Sequence, residues 1–312
     1  MRRWRTVLGA TVAALVLTSG GAAQAAQELH PTTKANLQAA MHAEAFAYAK
    51  YTLFAEAAAS SGHPDVAALF GRTAGVELRD HFTAESKLLG FVGSNLANLQ
   101  VGISGESQDL TDYARWAQEA TTDGCDAAAE LFAEVRRDEA GHLVRYTAAV
   151  QALVDPETGA TVPAPPTVTP VAVSPGPATC SARTVRSNLQ AAMAGEAFAY
   201  AKYTLFADYA RATGQPQLAA LFAATAEVEL REHFTGEANL AGLAGSTAAN
   251  LRAAIAGETE DLAMYGSYAA AATRIGDRSA AELFREIQRD EQGHQAAFHD
   301  ALATLSPVPH AA

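Results

Sequence analysis

The sequence predicts an all-α protein: two four-helix bundles in tandem joined by a Pro-rich linker. Three observations predict this: an internal repeat, apolar residues at helical spacing within each repeat, and breakers that cut each repeat into four segments. Glu44 to Ala55 recurs letter for letter as Glu196 to Ala207, 152 positions later. The same offset carries Asn36-Leu37-Gln38 onto Asn188-Leu189-Gln190 and Glu130-Leu131-Phe132 onto Glu282-Leu283-Phe284 without a gap. Each copy, 33–152 and 185–304, is expected to fold as its own bundle.

Within the first copy, Ala, Leu, Glu and Phe recur at i, i+3, i+4 and i+7, and no strand-like alternation persists. Gly62-His63-Pro64 ends the first helix and starts the second, with proline at the first helical position where its missing N–H costs nothing. Gly90 to Ser94 ends the second helix and offers a serine cap to the third. Asp123-Gly124 separates the third from the fourth. The expected helices are 33–61, 64–89, 94–122 and 126–152, and the same plus 152 in the second copy. Between the copies, 153–184 reads as a linker. Asp155 to Cys180 holds seven of the chain's 12 prolines, a density that favours an extended, semi-rigid polyproline conformation.

Ahead of the repeats, Arg2, Arg3 and Arg5 form a basic start, Val7 to Thr18 an apolar run, and Ala23-Gln24-Ala25 a small-x-small cleavage pattern. Residues 1–25 therefore read as a signal peptide for export to the cell envelope or medium, by the general route or, through Arg2-Arg3, the twin-arginine one. The apolar run is too short for a bilayer core that needs roughly 20 residues. Losing this segment removes three arginines and no acid, taking the formal net charge from −12 to −15. That excess opposes binding to nucleic acid or anionic lipid. The chain's two cysteines, Cys125 and Cys180, can form one disulfide in an oxidising compartment but cannot supply a four-cysteine metal site.

A bundle buries one apolar stripe per helix, yet every stripe here carries acids at its middle. Glu44 lies in line with Ala40, Met41, Ala47, Tyr48 and Tyr51. Glu77 lies in line with Phe70, Ala74, Ala84 and Leu88. The third helix carries Glu106 and Asp109, and the fourth carries Glu139 and His142. Each group lies roughly 16–21 Å into its helix at 1.5 Å per residue, so all can meet in one layer. Five buried carboxylates would repel one another and lose their hydration at several kcal/mol each. Two divalent cations answer that charge, with His142 as a nitrogen ligand. A lone Glu-x-x-His is usually a solvated surface pair. Here the set spans all four helices and recurs as Glu196, Glu229, Glu258, Asp261, Glu291 and His294, whereas surface acids have drifted, as in Glu56 against Asp208.

The first helix, with Asn188-Leu189, Ala192, Gly195-Glu196, Ala199, Tyr203 and Phe206-Ala207, resembles that of the rubrerythrins in the ferritin-like superfamily. The third-helix run Asn250 to Glu258 and the fourth-helix Glu291-x-x-His294 resemble it too. The resemblance covers nearly all of both copies. It implies two ferritin-like bundles with two di-iron centres, about four metal ions per chain, manganese or zinc being alternatives. It makes Glu44, Glu77, Glu106, Asp109, Glu139 and His142, with their second-copy partners, the ligands, and Tyr51 and Tyr203 hydrogen-bond donors to the site carboxylates.

Three departures matter. The family's second helix carries Glu-x-x-His; here the histidine comes one residue late, in Glu77-Leu78-Arg79-Asp80-His81 and Glu229-Leu230-Arg231-Glu232-His233. Helical angles favour His81 and His233 as the inward groups, with Asp80 and Glu232 the alternatives. Asp109 and Asp261 stand where the family has glutamate. The four-cysteine electron-relay domain of many rubrerythrins has no counterpart in this sequence. The implied activity is reduction of hydrogen peroxide or dioxygen, of peroxidase or ferroxidase type, with an external reductant. The rival reading is non-catalytic binding of iron, manganese or zinc. Members of this family commonly pair bundles, which implies an intramolecular pseudo-dimer or a homo-oligomer.

Overall fold

The computed structural model describes residues 28–155, 157 and 159–305. The expected signal segment, 1–25, lies outside the described residues. Among the described residues, eight helices follow one another. Helix α1 is Pro31–Ser60. Helix α2 runs without a break through Pro64–Val76, a π-helical turn Glu77–Phe82, and Thr83–Leu89. Helices α3 and α4 are Asn95–Thr122 and Asp126–Val154. In the second copy α5 is Arg183–Ala212, and α6 runs through Pro216–Val228, the π-helical turn Glu229–Phe234 and Thr235–Ala241. Helices α7 and α8 are Thr247–Ile275 and Arg278–Leu305. The ends fall within two residues of those the breakers predict. Ser94 and Ser246 accept from the N–H groups of Ala97 and Ala249 at 3.2 and 3.3 Å, capping α3 and α7. None of these helices is long and apolar enough to cross a membrane.

The fold is all-α, but the bundles are not the two sequence copies, which corrects the expected units 33–152 and 185–304. Helices α1 and α2 pack with α7 and α8, while α5 and α6 pack with α3 and α4. Each bundle thus takes its first hairpin from one copy and its second hairpin from the other. Connection length explains the exchange. Leu37, early in α1, sits with Tyr265 and Ala272, late in α7. Tyr51, late in α1, meets Phe70, early in α2. Helix α1 is therefore antiparallel to both neighbours, and α2 is parallel to α7. In a bundle of this topology the second helix ends at the opposite end from where the third begins, a gap near the helix length of about 39 Å. Five residues, 90–94, join α2 to α3 and reach about 17 Å. They cannot cross back, so the second hairpin enters the neighbouring bundle.

The bundles meet along α1 and α5. Tyr48 and Tyr200, related by the 152-residue offset, stack with ring centroids 5.0 Å apart and hydroxyls 2.8 Å apart. His42 stacks on Phe198 at 3.8 Å. The connecting segment carries Phe91 onto Phe206, stacked at 5.8 Å, so the crossing itself is anchored in apolar contact.

The linker lies extended along α6. Val171 and Thr179 donate to the carbonyls of Arg231 and Leu240, and Gly176 to that of Ala244. Its end is tied down by a disulfide between Cys125, in the α3–α4 turn, and Cys180, with Cα atoms 5.8 Å apart.

Candidate metal centres

In the middle of the bundle formed by α1, α2, α7 and α8, six buried or half-buried side chains converge: Glu44, Glu77, His81, Glu258, Glu291 and His294. They form two overlapping sets. Glu44, Glu77, His81 and Glu291 offer ligand atoms within 4.8 Å of one another, and so do Glu77, Glu258, Glu291 and His294. The second bundle repeats this with Glu196, Glu229, His233 and Glu139, and with Glu106, Glu229, Glu139 and His142. In each case two carboxylates belong to both sets: Glu77 with Glu291, and Glu229 with Glu139. Every set draws on both sequence copies.

The contacts among these groups are close without being satisfied. His81 Nδ1 lies 3.0 Å from Glu77 Oε2, 3.0 Å from Glu291 Oε1 and 3.5 Å from Glu44 Oε2. Its counterpart His233 Nδ1 lies 2.8 Å from Glu229 Oε2 and 3.1 Å from Glu139 Oε1. Yet both oxygens of Glu77, Oε1 of Glu291, Oε2 of Glu229 and the ring nitrogens of His81 and His233 are buried without a hydrogen bond. Lone pairs that crowd together without bonding converge on a shared point, which is what a cation requires. Four carboxylates per bundle balance two divalent ions, with one terminal glutamate and one histidine for each ion. The donor set therefore fits a pair of metal ions bridged by two carboxylates.

Proton occupancy reports the same strain. Burial, then repulsion from Glu77, pushes Glu44 well above the usual carboxylate range. Burial and the neighbouring Glu291 raise Glu258 to about 10. Burial alone would lower His294, but Glu291 and Glu77 hold its proton and raise it to about 10. Without metal the cluster retains protons.

The π-helical turn accounts for the late histidine. An extra residue within an α-helix can be absorbed as a π-bulge, a feature found often at functional sites. Here the turns span Glu77–Phe82 and Glu229–Phe234 and set both the glutamate and the histidine of each motif facing the centre. Asp80 is exposed, and Glu232 accepts from the backbone N–H of Thr169 at 2.5 Å. Neither alternative points inward. Asp109 and Asp261 are half-buried and belong to none of the converging sets. The sequence places both among the expected ligands, and here each stands beside the converging sets rather than within them. Burial and the neighbouring ligand carboxylates raise Asp109 to about 8 and Asp261 to about 7, against the opposing pull of Lys202 and Lys50 from the other copy.

Tyr51 donates to Glu258 and Tyr203 to Glu106, each across the copies. Two further pairs are not foreseen from the helical spacing. Tyr265 donates to Glu44 and lies 2.9 Å from Glu85 Oε1; Tyr113 donates to Glu196 and lies 2.6 Å from Glu237 Oε1. Burial raises Glu85 and Glu237 to about 8. One hydroxyl proton serves one of the two contacts, so the other requires a proton on a carboxylate, which is Glu85 or Glu237 whenever the ligand glutamate is ionised. A signal existed: both acids recur at the 152-residue offset, eight positions after Glu77 and Glu229.

Fold and site together define a carboxylate-rich dinuclear-metal bundle of the ferritin-like class. The rubrerythrin family model matches residues 187–235 and 227–302. A rubrerythrin of Porphyromonas gingivalis is 38% identical over 130 residues, 37% of this chain and 64% of that protein. Nigerythrin of Nitratidesulfovibrio vulgaris is 33% identical over 141 residues, 40% of this chain and 69% of that protein. The chain thus spans about two thirds of the length of these relatives, and it belongs to the rubrerythrin family. No solved structure matches it.

Proposed function

We propose that this chain is a non-haem di-iron oxidoreductase that reduces hydrogen peroxide or dioxygen at two centres, in a peroxidase or ferroxidase mode, outside the cytoplasm. The observation that carries the reading is the pair of carboxylates shared by two otherwise separate ligand sets in each bundle. When bound, the paired metal supplies the electrons and Lewis acidity that peroxide reduction needs. The chain's residues do the rest. Glu44 with His81 and Glu258 with His294 would hold separate ends of the pair, and Glu77 and Glu291, common to both sets, would tie the two ends together. Tyr51 and Tyr265 orient Glu258 and Glu44 through their hydroxyl groups. Glu85, protonated at neutral pH, passes its proton to the Tyr265 hydroxyl as that hydroxyl protonates Glu44. Glu44 would pass that proton to the reduced oxygen and return to its anionic form, leaving Glu85 as the anion, so the route would supply one of the protons that water formation consumes.

Both cysteines are used in the disulfide, so thiolate-held iron in this chain cannot relay electrons; an external reductant or ferrous iron closes the cycle. Export rests on the basic, apolar and small-x-small pattern of 1–25.

The test is to load metal-free protein anaerobically with ferrous iron, add stoichiometric peroxide, and follow near-ultraviolet absorbance together with peroxide loss. Absorbance of an oxidised paired centre with consumption of about one peroxide per two ferrous ions is expected. Iron retained with no absorbance change and no consumption would leave only a binding protein.

A further inference from the structure

The 152-residue offset makes the two halves near copies, so a feature present on one side and missing on the other stands out. The linker is such a feature. Beside α6 its Val173 fills a crevice formed with Leu53 and Leu230, leaving about 10 Å³ of free space. Its backbone rests on Gly242, where an added Cβ would lie 2.4 Å from Ala178 N. Asn239 clamps it, accepting from Ser174 N at 2.8 Å and donating to the carbonyl of Ala172 at 2.9 Å.

The equivalent place on the other half is α2 against α5, and there it is open. Thr83, Lys87, Gly90, Leu205, Asp208 and Tyr209 line a groove of about 440 Å³ with mostly apolar walls. Thr83 and Leu205 are the counterparts of Thr235 and Leu53 beneath the linker. Gly90 has the same left-handed backbone as Gly242, φ 68° against 66°, but nothing lies within 4 Å of its added Cβ. The carbonyl that Val171 engages on Arg231 has its counterpart on Arg79, inside the matching π-helical turn. No N–H from outside the helix reaches it among the described residues. A π-helical turn interrupts the regular backbone pairing, and Arg231 shows that an extended strand can use such a carbonyl.

We propose that this groove on α2 and α5 binds an extended, proline-containing peptide segment of another polypeptide, in the pose that the linker shows on α6. A small branched side chain fills the place of Val173. A backbone N–H pairs with the Arg79 carbonyl. Lys87, standing where Asn239 stands, donates to a carbonyl or carboxylate of the segment and cannot accept from it. The occupant therefore needs no N–H at that position, which proline satisfies. A preformed extended segment loses little entropy on docking.

The probe is a fluorescent synthetic peptide with this chain's own residues 168–179, titrated into the full oxidised protein and followed by polarisation. Saturable binding of one peptide per chain is expected. Tyr209→Ala and Thr83→Arg, each checked for unchanged helicity and metal content, should weaken it at least tenfold. A peptide with proline in the place of Ser174 should bind at least as tightly as the parent. No saturable binding at millimolar peptide overturns the proposal, and so does binding that both groove substitutions leave unchanged. Sedimentation of the peptide-free protein checks the occupant independently. Concentration-dependent association abolished by the same substitutions would overturn the assignment to another polypeptide and make a second copy of this chain the occupant.

Discussion

At the scale of single residues, the centres are governed by protons that metal must displace. Ligand carboxylates bind as anions and ligand imidazoles as neutral bases, yet Glu258 and His294 are each raised to about 10 in the metal-free cluster. Both therefore hold protons at neutral pH that an incoming ion releases. Affinity should rise as pH rises toward those values, by about tenfold per pH unit for each proton displaced. Competition against a chromophoric chelator at pH 6 and pH 8 measures this; equal affinity at the two values would contradict the proton-loaded cluster. The ligand glutamates and the fourth-helix histidines are legible in the sequence because helical spacing and the repeat single them out, while the roles of Tyr51 and Tyr203 are legible only through the family resemblance. Asp109 and Asp261 are picked out by the same spacing and repeat yet stand beside the converging sets, because the sequence shows which face a side chain occupies and not how near the middle it comes. Glu85 and Glu237 recur at the repeat offset, but an acid eight residues beyond the ligand glutamate looks like an ordinary helix acid until the tyrosine above it is placed.

At the scale of elements, helix ends follow from local chemistry: prolines at first positions, serine caps and left-handed glycines need no tertiary information. The π-helical turns in α2 and α6 are of a different kind. One residue more than the usual motif is visible in the sequence, but whether it turns the histidine away or is absorbed within the helix depends on what the turn packs against. The linker shows the same division. Its proline content predicts extension, while its course along α6 is set by the carbonyls and the Asn239 side chain it finds there. The disulfide at its end encloses a separation of 55 residues, for which chain entropy gives about 4 kcal/mol. Replacing both Cys125 and Cys180 by serine should lower the unfolding free energy by roughly that amount in a denaturant titration of metal-free protein. A change under about 1 kcal/mol would mean that the linker contacts alone fix the course.

At the scale of the whole molecule, the exchange of hairpins decides which residues share a centre, and it can be read by counting metal. Glu77→Ala with Glu291→Ala removes both carboxylates shared by the two ligand sets of one centre and should leave the other with its pair of ions. Glu77→Ala with Glu139→Ala damages both centres and should leave the chain nearly empty. Elemental analysis of reconstituted protein distinguishes them, and bundles made from contiguous copies would give the reverse pattern. The sequence by itself was enough to establish two helical bundles, the helix boundaries and a buried carboxylate–histidine layer, because these follow from local propensity, periodicity and the intolerable charge of an empty core. Which copy supplies which half of each layer was decided only in three dimensions. Identical ligand motifs satisfy either arrangement equally, and the choice falls to whether five residues between α2 and α3 can span the length of a helix.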